Sequence, residues 1–249
     1  MKDDEIYVYG KHAVSEALEH APEDTIKKVF LAGTVNDGAL FTLLKKRNIA
    51  PAALSANAER AAGRDASHQG VIALVDASKL MLPFETFLGA LDLSKKPALA
   101  LLGEIQDPHN VGAIIRSAAA FGLSGVLIPK DRQAPVTGAV VKSSAGMTFR
   151  VPLISIGNVN QTIRTLKNKG FWVYGLSGEG ASTLGKETFT EPSVFVVGNE
   201  GQGLREKTEE LCDVMLKIPM HPRTESLNAA VSAAIVMQDW SRQHPEALL

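Results

Sequence analysis

The chain has a single cysteine, Cys212, in 249 residues. One cysteine forms no intrachain disulfide and leaves no cysteine-based metal site, which fits a reducing compartment. No stretch approaches the roughly eighteen uninterrupted apolar residues of a membrane helix. The opening MKDDEIYVYGKH lacks both the apolar run and the small-residue cleavage site of a secretory leader. A soluble cytoplasmic protein is the expectation. An excess of charge of one sign is missing too, since 26 Lys and Arg stand against 27 Asp and Glu, for a net charge of -1. A polyanion partner would therefore be gripped by local patches rather than by an overall basic field. What is there is apolar: 45% hydrophobic residues supply core for one large domain or two small ones.

Strands and helices alternate along the chain. In the first part IKKVFLA (26–32), the stretch around 49–54 and GVIALV (70–75) read as strands, separated by helical stretches at 12–19, 37–48 and 55–62, the last with Ser55 as a plausible N-cap. Between about 77 and 95 the pattern weakens and reads as a linker with a helical turn or two. From residue 98 the alternation restarts with ALALLG (98–103), GVLIP (125–129), VPLISI (151–156), FWVYGL (171–176), SVFVVG (193–198) and VMLKIP (214–219). Strands that are apolar throughout belong in a parallel sheet covered on both faces. Helices are expected at 110–121, 158–169, 203–211 and 226–241. The fold class is therefore α/β, with a small α/β unit at 1–76, a linker at 77–96 and a mostly parallel sheet at 97–249.

Ligands of open α/β sheets bind beyond the carboxyl ends of the strands. Three loops there matter: GEIQDPHNVG (103–112), GNEGQG (198–203) and PMHPRTESLN (219–228). In the helix after the first, Val111, Ile114, Ile115, Ala118 and Phe121 form the apolar stripe, so Arg116 faces away from the core, as an ordinary solvated arginine or toward a ligand. Asn110 stands where an N-cap belongs. Ser226 and Asn228 open an alanine-rich helix, where Ser226 is a cap or part of a site. His109 reads as a loop histidine, because no second metal ligand lies at useful spacing, and no metal is expected.

Two short motifs are set aside. GASTLGK (180–186) satisfies the spacing of a phosphate-binding loop, but Glu187 replaces the hydroxyl residue that would hold magnesium and no convincing helix follows. Cys212 has no histidine near it in sequence, so it reads as a buried structural thiol rather than a nucleophile.

QDPHNVGAIIRSA, VVGNEGQGL and IPMHPRTESLNAAVSAAI together resemble the three ordered motifs of the SpoU/TrmH class of SPOUT RNA 2'-O-methyltransferases. VYGKHAVSEAL and SHQGVIALV resemble the small substrate-binding domain of that family's ribosomal RNA guanosine 2'-O-methyltransferases. The resemblance covers nearly the whole chain. It implies a C-terminal trefoil knot, a homodimer, and S-adenosylmethionine held largely by backbone groups, with Gly198, Gly203, Ile218, Met220 and Leu227 as contacts. Asn110, Arg116, Glu200, Ser226 and Asn228 fall on the family's catalytic or site-shaping positions. Lys11, His12, His68 and Gln69 are the RNA-binding candidates it favours, ahead of Lys45, Lys46, Arg47 and Arg64. Pro222, Thr224 and Asn199 depart from the family's usual residues. The implied activity is methylation of a ribose hydroxyl, on a guanosine of large-subunit ribosomal RNA. A transfer-RNA or antibiotic-resistance methyltransferase is the alternative, and after it an RNA-binding protein that has lost its cofactor.

Overall fold

A computed structural model describes residues 4–63, 67–178 and 180–248. The first part forms β1 (Glu5–Tyr9), α1 (Lys11–His20), β2 (Ile26–Leu31), α2 (Gly38–Lys46), β3 (Ala52–Ala53), α3 (Ala56–Ala62) and β4 (Val71–Asp76). They build a four-stranded sheet in the order β1-β4-β2-β3, antiparallel except at β2 and β3. Ser55 caps α3, its hydroxyl accepting from Ala58 N at 3.3 Å. β1 was not expected. Its sequence EIYVY is rich in the β-branched and aromatic residues that strands favour, and it pairs with β4 over its whole length.

The second part holds β5 (Met81–Pro83), α4 (Phe84–Ala90), β6 (Ala98–Leu102), α5 (Pro108–Ala120), β7 (Gly125–Pro129), α6 (Gly138–Ser143), β8 (Leu153–Ile156), α7 (Val159–Asn168), β9 (Trp172–Leu176), β10 (Ser182–Thr183), β11 (Ser193–Val197), α8 (Glu206–Glu209), β12 (Val214–Lys217) and α9 (Ala229–Gln243). Its sheet runs β10-β12-β9-β11-β6-β7-β8-β5 with every pairing parallel. The segment 77–96, read as a linker with a helical turn or two, does hold a two-turn helix, α4, with Phe87 and Leu88 buried, but it also supplies an edge strand, since β5 pairs with β8. Pro83 is tolerated there because an edge strand can spare an N–H.

Every residue of β6, β7 and β11 is buried, as strands covered on both faces require. Val111, Ile114, Ile115 and Ala118 of α5 pack beneath them with no exposed surface. At roughly 1.5–3 kcal/mol for each large aliphatic side chain buried, this stripe alone fixes the face that α5 turns inward. α6, a helix the sequence did not suggest, and the short turn Met147–Phe149 after it join the two sheets, for Val141 of the helix and Phe149 of the turn belong to the apolar cluster of the first. Glu16 of α1 completes that junction by accepting from Arg150 Nε at 2.6 Å and Nη2 at 3.1 Å. No helix among the described residues is long and apolar enough to cross a membrane.

Candidate active site at the carboxyl ends of three strands

β6 and β11 are hydrogen-bonded neighbours in register from Ala98 and Ser193 to Leu102 and Val197, so the loops that follow them leave the sheet at one level. The first hydrogen bond past the strands, Gly103 N to Val197 O at 2.7 Å, keeps them together. The loop after β11 then folds back on itself: Asn199 N donates to Gly203 O at 2.9 Å and Gly203 N to Asn199 O at 3.0 Å. Gly203 has φ 68°, a left-handed conformation that suits glycine, and a Cβ on Gly198 would stand 2.6 Å from Leu204 N. The turn thus leaves no room for a side chain at Gly198, while at Gly203 it is the left-handed backbone rather than crowding that favours glycine.

Glu200 projects from this turn onto the first loop. Its Oε1 accepts from Asn110 Nδ2 at 3.0 Å and Asp107 N at 3.2 Å, and its Oε2 from Gln106 N at 3.2 Å. Partial burial opposes ionisation, but the Asn110 amide and the surrounding backbone N–H groups outweigh it and hold the carboxyl below its usual range. Asn110 Oδ1 in turn accepts from Asn228 Nδ2 at 2.9 Å, and Asn228 Oδ1 accepts from Ala230 N at 2.9 Å and Val231 N at 3.2 Å. One continuous relay therefore joins all three loops.

Two caps differ from expectation. Asp107, whose carboxylate accepts from His109 N at 2.8 Å, caps α5, which starts at Pro108 and takes in both His109 and Asn110. Asn110 is thereby released from capping and buried at 7% exposure with its amide in the relay. Asn228, not Ser226, caps α9. Ser226 is exposed, and among the described residues its hydroxyl has no partner.

A pocket of about 280 Å³ lies under the glycine loop. Gly198, Gly203, Ile218, Met220 and Leu227 all line it, together with Glu200 and Ser226. Leu176, Val197 and Leu216 give it an apolar floor, while Glu200, Glu209 and Glu225 supply carboxylates; among the described lining residues there is no Lys or Arg. Such a cavity suits a flat heterocycle carried by a cationic molecule and is unsuited to a polyphosphate. Asn110 and Asn228 line a second, apolar groove between α5 and α9, with His109, Ala113 and Val231. Arg116 lines neither. It is exposed on α5, two turns beyond His109, and has no hydrogen-bond or ion-pair partner among the described residues.

Other candidates fall elsewhere. Lys11 N donates to Gln69 Oε1 at 3.4 Å, and His68 Nδ1 accepts from Gly70 N at 3.0 Å, which gathers Lys11, His12, His68 and Gln69 on one rim of the first unit. The Lys11 ammonium is paired with Asp37 at 3.2 Å. Arg47 is occupied, donating to Leu18 O and Ala21 O at 2.7 and 2.6 Å and so closing the end of α1. Lys45 and Lys46 are exposed on the last turn of α2, and Arg64 lies outside the described residues. The loop at 180–186 contains β10, and no helix follows it directly, so the phosphate-loop geometry is absent there. Burial pushes the Cys212 thiol up to about 12, and its Sγ donates to Thr208 O at 3.3 Å. It is no nucleophile at neutral pH.

Asn199 was undervalued in the sequence. Its Oδ1 accepts from Gly201 N at 2.9 Å and Gln202 N at 3.2 Å, and its Nδ2 donates to Glu104 O at 2.8 Å. An Asn immediately before an acid and a glycine is the Asx-turn signal that could have revealed it.

A family model described as the SpoU rRNA Methylase family matches residues 97–238, and one described as RNA 2'-O ribose methyltransferase substrate binding matches residues 7–81. The chain is 37% identical over 238 residues to the 23S rRNA (guanosine-2'-O-)-methyltransferase RlmB of Neisseria meningitidis serogroup B, covering 95% of this chain and 94% of that one. The enzyme of the same description from Shewanella oneidensis is 34% identical over 248 residues, covering 98% and 99%. Among solved structures, the SpoU methyltransferase AviRb from Streptomyces viridochromogenes in complex with the cofactor AdoMet superposes with a TM-score of 0.78 at 26% identity, covering 97% of this chain and 91% of that one.

Proposed function

We propose that this chain, which belongs to the SpoU rRNA methylase family, transfers a methyl group from S-adenosylmethionine to the 2' hydroxyl of a guanosine in 23S ribosomal RNA. The observation that carries the reading is the Glu200–Asn110–Asn228 relay beside a cavity lined by three carboxylates and, among the described residues, no cation. S-adenosylmethionine is a net cation with a planar adenine, and that lining fits it. When bound, it supplies a methyl group on a sulfonium, which leaves as the neutral thioether S-adenosylhomocysteine.

The chain's own groups bind, orient and handle the proton. Gly198 and Gly203 bring backbone amides close to the adenosine, and Ile218, Met220 and Leu227 pack its apolar parts. Glu200 holds Asn110, and Asn110 holds Asn228, so that the three loops close on the cavity as one body. Arg116 grips the phosphate beside the target ribose and stabilises the developing alkoxide; guanidinium does not give up its proton in proteins, so the hydroxyl proton leaves to phosphate or water. Positioning of the hydroxyl in line with the methyl–sulfur bond supplies most of the rate.

Residues 1–76 serve as the RNA-binding unit, with the rim at Lys11, His12, His68 and Gln69 as its contact surface, and residues 97–249 as the catalytic unit with a trefoil knot at its C-terminal end. The sheet order, which sets β11 between β9 and β6, supports the knot. Two copies pair through the groove between α5 and α9, where Val231 is 47% exposed, and pairing there brings Arg116 of one copy toward the cavity of the other. A single cysteine and a ribosomal substrate are in keeping with the cytoplasm. Calorimetry with S-adenosylmethionine tests the cavity, and mapping of 2'-O-methyl groups on 23S ribosomal RNA from a deletion strain tests the substrate.

A further inference from the structure

On the far side of the glycine loop from the cofactor cavity, a groove of about 930 Å³ opens at the carboxyl ends of β6, β7 and β8. Asn199, Gln202, Gly203 and Leu204 wall both spaces. Arg132 lines the groove and is exposed, and among the described residues its guanidinium has no partner. Its backbone is in the left-handed region, at φ 56°. For an arginine that conformation costs on the order of 1 kcal/mol, and it persists only where the surroundings impose it. They do so here. Arg132 O accepts from Gln106 Nε2 at 2.5 Å, Gln133 Oε1 accepts from Ile105 N at 2.9 Å, and Ala134 N donates to Ile105 O at 2.9 Å. A glycine would fit the turn without strain, and what arginine adds over glycine is the free guanidinium.

The same Gln106 donates its backbone N–H to Glu200 Oε2 at 3.2 Å. Arg132 is thus anchored, through one residue, to the relay of the proposed active site. Charge in the groove is divided rather than uniformly positive: Arg205 is neutralised by Glu104 at 2.8 Å, and Asp131 also lines the wall. That pattern suits one phosphate with a base beside it, not a run of RNA backbone. Asn158 adds an amide for the base edge, since its Oδ1 is taken by Gln161 N at 3.0 Å and its NH2 has no partner among the described residues.

We propose that this groove receives a nucleotide flanking the target ribose in the RNA, with Arg132 as the positioning residue that holds its phosphate. The inference rests on the methyltransferase reading above and deepens it. It is tested with Arg132→Gly, which keeps the turn and removes the guanidinium, and with Arg132→Lys, which keeps the charge. Single-turnover methylation of an unmodified 23S ribosomal RNA transcript is followed at several salt concentrations. Arg132→Gly is expected to raise the half-saturating RNA concentration at least about tenfold and to lower the salt slope by roughly 0.7, the value for one single-strand phosphate. S-adenosylmethionine affinity and Tm stay unchanged. Arg132→Lys recovers most of the salt slope and part of the affinity. Wild-type RNA dependence in Arg132→Gly would overturn the assignment, as would a loss of cofactor binding or of several degrees in Tm, which would make Arg132 structural. A wild-type chain that neither binds cofactor nor methylates RNA would instead remove the function on which the inference stands.

Discussion

Glu200 accepts a hydrogen bond from Asn110 at 3.0 Å across ninety residues of sequence, and this contact orients everything downstream of it. An ionised carboxylate only accepts, so Asn110 must turn its NH2 toward it and present its oxygen to Asn228. Asn228 must then donate to Asn110, which leaves its own oxygen for the N–H groups that open α9. One acid therefore fixes two amide orientations and one helix start.

Glu200→Gln breaks that logic, because one of its two carboxyl positions becomes a donor facing donors. The expected loss is about 100-fold in kcat/KM, roughly 2.7 kcal/mol, measured in steady-state methylation. Glu200 is solvent-exposed in part, so the change in folding free energy should stay within about 1 kcal/mol. A large fall in stability with activity retained would mean that the relay is only structural.

Two glycines in one loop should behave oppositely. A methyl group at Gly198 would press on the Gly203 carbonyl carbon and stand 2.6 Å from Leu204 N, both backbone atoms, whereas at Gly201 the nearest atom is Asn199 Oδ1 at 3.6 Å. Gly198→Ala is expected to weaken S-adenosylmethionine binding at least about tenfold, or 1.4 kcal/mol, and Gly201→Ala to leave it within about twofold. Calorimetry distinguishes them.

Arg150 secures the junction between the two sheets. Burial disfavours ionisation of Glu16, but the Arg150 hydrogen bonds and charge, helped by His12 and His20, hold its carboxyl below the usual range. Arg150→Ala strands that carboxylate at 7% exposure and should cost about 1–3 kcal/mol, at about 2–4 °C of Tm per kcal/mol. Because the folded value lies below the unfolded one, this stabilisation is fully present above about pH 4.5 and is lost as pH falls through the folded value. Wild type and Arg150→Ala should therefore converge in Tm under acid, and a gap that widened there would contradict the pairing.

Arg116→Ala should lower methylation at least about 100-fold while S-adenosylmethionine still binds, since Arg116 lines no part of the cavity proposed to hold the cofactor. Filter binding of labelled cofactor alongside product formation separates the two effects. Near-normal turnover would remove Arg116 from the chemistry.

Much of this arrangement was legible in the residues. Six of the seven strands from Ala98 onward are short apolar runs whose ends the sequence marks with glycine, proline or a charge, the exception being the two-residue β10, and Arg116 reads as outward-facing from the stripe of Val111, Ile114 and Ile115. What escaped notice depends on partners distant in sequence. β5, three residues ending in Pro83, is a strand because β8 offers it an edge, whereas β1 carried its signal in Ile6, Tyr7, Val8 and Tyr9 and was overlooked beside the charged start of the chain. Asn110 resembled a cap because an asparagine near a helix start commonly is one; Asp107, three residues earlier, takes that position and leaves Asn110 for Glu200. Arg132 gave no signal at all, since a left-handed arginine is a property of the turn that Gln106 and Gln133 clamp.

The most direct measurement incubates the purified chain with S-adenosylmethionine labelled on the methyl group and an unmodified 23S ribosomal RNA transcript, then locates the label by resistance of the backbone to alkaline cleavage. Label on the 2' oxygen of a single guanosine is the predicted result. No transfer under conditions where the cofactor binds, or label on a base instead of a ribose, would contradict it.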